Sequence, residues 1–205
     1  MSITGCNFSG SSSTGGAGGV LYTEDWAVFP GAPNIALDTI PMANGSAGGG
    51  DGGAIRAGNN AWIDIDGGSM SNRTAQGSGG GIYVDGTGTV DVNGNDLSTC
   101  EALAGDGGAV RVLDNSTVTL TNTDVTASTA TGTGGAVSMG ENAQLTMSAA
   151  DGQNCQSGGN GGAIRVLGEP TLSITGCNFS GSSSTGGAGG VLYTEDWAVF
   201  PGAPN

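Results

Sequence analysis

"GGAVRVLDNSTVTLTNTDVTASTATGT" (residues 107–133) holds the reading on which the fold turns. Two glycines lead into Val110. Val118 and Leu120 follow with one residue between them, then Val125 and Ala130, and at residue 134 the Gly-Gly-Ala-Val motif starts again. Apolar residues two apart put side chains on one face of a strand, not on one stripe of a helix. Glycine at this density also opposes helix, since each one costs about 1 kcal/mol against alanine.

Reading outward, the motif recurs as GGAI at 52–55, GGGI at 79–82, GGAV at 134–137 and GGAI at 161–164. Its last position steps through Val20, Ile55, Ile82, Val110, Val137, Ile164 and Val191, at intervals of 35, 27, 28, 27, 27 and 27 residues. The apolar pair keeps the same beat: Ile35 and Leu37, Ile63 and Ile65, Val90 and Val92, Leu145 and Met147, Leu172 and Ile174, with Met1 and Ile3 at the start. A third column runs Met42, Met70, Leu97, Val125, Gly152, Phe179, with Phe8 matching Phe179. Five positions later stand Ala47, Ala75, Ala102, Ala130, Ser157 and Ser184.

A fixed period in the twenties with strands and no helices predicts a solenoid, because one such unit cannot bury its apolar side alone while stacked units can. The expectation is an all-β, right-handed parallel β-helix of about seven coils, about 27 residues and three short strands per coil, with uncapped ends. Handedness is assigned by analogy, the coil being longer than those of left-handed forms. One glycine column (Gly18, Gly53, Gly80, Gly108, Gly135, Gly162, Gly189) marks a corner where φ is positive or where a side chain would strike the next coil.

A longer period lies over the short one. Residues 2–34 and 173–205 are identical, so a 171-residue unit of six coils (2–172) is followed by the start of the next copy. The whole chain reads as a single solenoid domain, with an insertion at 23–34. Met1 falls in mid-strand and no signal peptide precedes the repeats, which suggests a window from a longer tandem array or a subunit whose ends meet those of the next.

Composition narrows the function. The 205 residues include 43 Gly and no His, and 18 acidic against 4 basic residues give a net charge of −14. Such a surface cannot neutralise phosphates, so no nucleic-acid partner is expected. No apolar run is long enough to span a membrane. The lack of His and Lys removes the usual general bases and nucleophiles and the usual Cys/His zinc sites, so the chain reads as non-enzymatic.

"MSNRTAQGSGGGIYV" (70–84) and "FSGSSSTGGAGGVLY" (179–193) resemble the polymorphic outer-membrane protein repeats of bacterial autotransporter passengers. That family pairs a GGA(I/V/L) motif with an upstream Phe-x-x-Asn. The first half is matched in every coil; of the second, only Phe8 and Phe179 keep the aromatic residue. The resemblance implies an exposed, secreted, adhesive or structural β-helix.

Three surface features compete as sites. Asp64 and Asp66 lie outward on one strand and Asp91 stands one coil on from Asp64, a possible calcium site or acidic pair for glycoside hydrolysis, against the plainer reading of a solvated acidic strip. "TVTLT" (117–121), "QLTMS" (144–148) and "TLSIT" (171–175) stack hydroxyls in rows of the kind that order water on ice-binding solenoids, although Asp and Trp in the coils before them break the array. The insertion carries Trp26, Phe29 and Pro30, with Trp62 one coil on; it either folds over Trp62 or offers an aromatic contact to another chain. Arg56, Arg111 and Arg165 share an outward column, with Asp85, Asp114, Glu141 and Glu169 following them. Cys6 and Cys177 are copies of each other, and Cys100 and Cys155 lie two coils apart, so all four are expected as free thiols.

The expected role is a structural or adhesive segment of an extracellular fibre, stalk or cell-surface filament. Its expected partners are other copies of itself, end to end or lateral, and a cell-surface or carbohydrate ligand. Ice binding, calcium-dependent carbohydrate binding and polysaccharide degradation are the rival readings.

Overall fold

The computed structural model describes residues 1–24 and 34–195. Within them there is no helix, and every strand pairing is parallel. The chain winds as a β-solenoid. One side is a seven-stranded sheet built from Leu21–Thr23, Ile55–Ala57, Ile82–Val84, Val110–Val112, Val137–Met139, Ile164–Leu167 and Leu192–Glu195 in chain order. Seven rungs enclose six steps of the winding. The second and third sides belong to one 15-stranded sheet.

The second side runs from Ser2–Thr4 through Thr89–Asn93, Thr117–Thr121 and Gln144–Ser148 to Thr171–Thr175. On it Ile63 pairs with Val90, Val90 with Val118, Val118 with Leu145, and Leu145 with Leu172. These inward residues, from Ile63 to Leu145, are at most 1% exposed. Each buried Val, Leu or Ile contributes about 1.5–3 kcal/mol, so the apolar ladder is the main source of cohesion. The third side confirms the Met42–Met70–Leu97–Val125–Gly152–Phe179 column.

That third side is not one short strand in most coils. Val125–Thr126 and Thr129–Ala130 are separate pieces flanking Ala127, whose φ is 50°. The same left-handed corner falls on Asn72, Thr99 and Asn154. Asparagine tolerates this conformation better than other non-glycine residues, and Asn72 Nδ2 donates to Asn44 Oδ1 at 3.1 Å, one coil below.

The glycine motif needs a correction in the two outer coils. Leu21, not Val20, pairs with Ile55, and Leu192, not Val191, pairs with Ile164. The two roles expected of one column are divided between two neighbouring glycines. The first of each pair, such as Gly52, Gly79 and Gly107, has φ near 65°. Gly18 and Gly189 belong with these, at φ 63° and 74°. The second (Gly19, Gly53, Gly80, Gly108, Gly135 and Gly162) faces the coil above, and Gly190 holds the same place in the uppermost described coil. A Cβ on Gly108 would lie 2.6 Å from Thr129 C and strike Gly135 O as well.

The fourth arginine escaped the sequence reading. Arg73 is fully buried on the third side, where none of the described carboxylates forms an ion pair with it. Its guanidinium donates to the backbone oxygens of Met42 (3.1 Å), Ser11 (2.7 Å) and Phe8 (3.1 Å). It therefore ties three successive coils together, and Gly45 makes the room, since a Cβ there would collide with it. Burial holds its pKa below the ordinary value.

Candidate functional site

The outward residues of the seven-stranded sheet form one ladder: Tyr22, Arg56, Tyr83, Arg111, Ser138, Arg165, Tyr193. Strand alternation places them outward because their neighbours on either side fill the core. The Arg56 guanidinium lies between two rings, 5.3 Å from the centre of Tyr22 and 5.4 Å from that of Tyr83, a cation–π arrangement. It also reaches Asp85 at 2.6 Å. Burial pushes the Asp85 carboxyl up, and Arg56 offsets only part of that. Burial takes the Tyr83 phenol up to about 12.

The arginine partners differ from sequence order. Arg111 pairs with Asp106 at 3.5 Å, and Arg165 with Glu195 at 3.1 Å, rather than with Asp114 and Glu169. Arg111 also donates to the Ser138 hydroxyl. Beside Arg56 lies an open cavity of about 250 Å³, lined by Glu24, Asn59, Asp85 and Asp114 among others. Partly exposed pairs of this kind stabilise little.

The acidic strip does not converge. Asp64 pairs directly with Asp91 and Asp66 with Asn93. Asp91 accepts the Trp62 indole N–H at 2.9 Å, and Asp66 accepts from Asn93 Nδ2 at 3.1 Å. Among the described residues no group of three or more acidic, Cys or His side chains is placed to hold a metal ion. Trp62 is half-buried and held by Asp91; Trp26, Phe29 and Pro30 lie outside the described residues. The hydroxyl row Thr119–Thr146–Ser173 is real but meets Asp91 at its lower end.

The two end faces expose apolar side chains that the inner coils bury. At the upper end Ile174 is 37% and Leu192 45% exposed, with Leu172 and Phe179 half-buried beside them. At the lower end Met1 is 71% exposed. Among the described residues both ends carry open strand edges, the usual template for pairing with another chain.

The four thiols are free. Cys100 and Cys155 are buried, and burial pushes the Cys100 thiol up to about 12. Cys6 is exposed and Cys177 partly so.

No family model, curated protein or solved structure matches this chain. Among the described residues no helix is long and apolar enough to cross a membrane.

Proposed function

We propose that this chain is a structural repeat segment of an extracellular or cell-surface filament that extends end to end. One observation carries the reading. Among the described residues the solenoid presents an apolar cross-section and unpaired strand edges at the coil 171–195, and that coil repeats the sequence of the coil 2–23, which in this same molecule is covered by the next one. An upper face of this sequence is thus already seen paired. Acidic solubility, the absence of His and Lys, and the resemblance to secreted passenger repeats support the same reading. Continuous backbone ladders would supply stiffness, and each coil would add about 4.8 Å.

Gly190 supplies a clean test. A Cβ on it meets nothing nearer than Ser182 O at 3.7 Å, because no coil lies above among the described residues; its counterparts lower in the stack would all strike the backbone of the next coil. Gly190→Ala should therefore melt like the wild-type monomer yet be unable to accept another coil. Electron microscopy should show filaments for the wild type and single particles for Gly190→Ala. Monodisperse compact wild-type particles across protein and salt concentrations would overturn the proposal.

A further inference from the structure

Resting on that filament reading, we infer that the copies join head to tail in one register, with Cys6 of one copy stacked directly on Cys177 of the next, and that this pair can close as a disulfide that locks the junction. The register comes from the backbone. In the lowest coil the amides of Gly5, Phe8 and Gly10 donate upward, to the oxygens of Asp38, Pro41 and Ala43. Their copies Gly176, Phe179 and Gly181 occupy the same places on the upper coil, above which no described residue lies. In that upper coil the oxygens of Thr175, Asn178 and Ser180 accept from Ala149, Gly152 and Asn154 of the coil beneath. Their copies at the lower end are Thr4, Asn7 and Ser9. Bringing the ends together sets Gly176, Phe179 and Gly181 N–H groups against Thr4, Asn7 and Ser9 oxygens, donor to acceptor throughout.

The same transfer places the sulfurs. Cys177 Sγ accepts from the amide of Ala150, one coil beneath it, at 3.4 Å. At the junction Cys6 Sγ of the upper copy takes that position over the Cys177 amide. Coils about 4.8 Å apart put the two Cα atoms inside the range of about 4.4–6.8 Å that disulfides span. Within one chain the two thiols sit six steps apart, about 29 Å, so a Cys6–Cys177 bond can form only between copies. Direct stacking is also preferred to a coil exchange in which the upper coil of one copy displaces residues 2–23 of the next. Stacking adds a coil–coil interface, whereas exchange replaces one with its equal. In an exchanged junction Cys177 would meet the coil of Ala36–Asp38 and not Cys6.

Closure is a thiol–disulfide exchange with a small external disulfide. One thiolate attacks it to form a mixed disulfide and release one small thiol. The second cysteine then displaces the other small thiol. Two electrons pass to the reagent, and the two cysteine protons leave with the two small thiols.

The experiment incubates the 205-residue chain with glutathione disulfide and compares it with Cys6→Ser, Cys177→Ser and an equimolar mixture of the two. The wild type should give a ladder of covalent oligomers on non-reducing gels, collapsing with dithiothreitol, and mass spectrometry should find the Cys6–Cys177 linked peptide. Each single variant should give no covalent oligomer, and the mixture should give dimers only. Covalent dimers of Cys6→Ser alone would mean a Cys177–Cys177 contact and overturn the head-to-tail register. Filaments by microscopy without the linked peptide would overturn this inference while leaving the filament reading intact. Absence of any assembly would overturn both.

Discussion

Residues 2–23 and 173–194 have one sequence and two environments. Their backbones agree: Gly5 and Gly176 have φ of 61° and 66°, and Gly18 and Gly189 of 63° and 74°. Their burial does not. Thr23 is buried where Thr194 is exposed, and Cys6 is exposed where Cys177 is half-covered. One coil has its neighbour above and the other has it below. Local conformation is therefore written in the coil's own sequence, while burial, and with it the energetic cost of a change, is set by position in the stack.

The sharpest way to break that contrast is in the interior. Gly108→Ala puts a methyl group into the backbone of the coil above, and overpacking against rigid main chain should cost at least about 3 kcal/mol, read as a lowered denaturant midpoint. Arg73→Met comes next. It strips the donor shared by the Met42, Ser11 and Phe8 oxygens, for a loss of about 3 kcal/mol. Hydrogen exchange should show the amides of the lowest coil opening first. A pair of core truncations then sharpens the comparison: Leu145→Ala should cost about 3 kcal/mol, whereas Leu172→Ala, half-exposed in the upper coil, should cost about 1 kcal/mol.

The smallest effect concerns charge. Burial raises the Asp64 carboxyl above its ordinary 3.8, and Asp91 and Asp66 push the same way. The folded chain thus holds this proton more tightly than the unfolded one. The contribution favours folding below 3.8 and is lost as pH rises through the folded value. Asp64→Asn should therefore raise stability at neutral pH by at most about 0.5 kcal/mol, given its exposure to solvent. The gap should close in acid, as followed by thermal melts across pH.

The apolar columns made the solenoid legible, because Val118, Leu145 and their counterparts repeat with a spacing that only stacking can bury. The glycine register was less so. Gly-Ala-Gly-Gly-Val-Leu offers Val20 and Leu21 as equally apolar candidates, and only the pairing of Leu21 with Ile55 decides between them. Arg73 was invisible as a structural residue because its acceptors are backbone oxygens, which leave no trace in side-chain patterns. The acidic strip was placed correctly on one face, but Trp62 and Asn93 occupy two of its carboxylates, and such partners are set by side-chain reach, not by spacing.

The stack itself is tested most directly by one matched pair, Gly19→Ala and Gly190→Ala, copies of one position in the two identical stretches. A Cβ at Gly19 would lie 2.8 Å from Ser46 O in the coil above, whereas at Gly190 the nearest atom is 3.7 Å away. Measured on the monomer by hydrogen exchange and thermal unfolding, Gly19→Ala should loosen the lowest coil while Gly190→Ala leaves stability unchanged. Equal losses in both variants would contradict an account in which the neighbouring coil decides the cost.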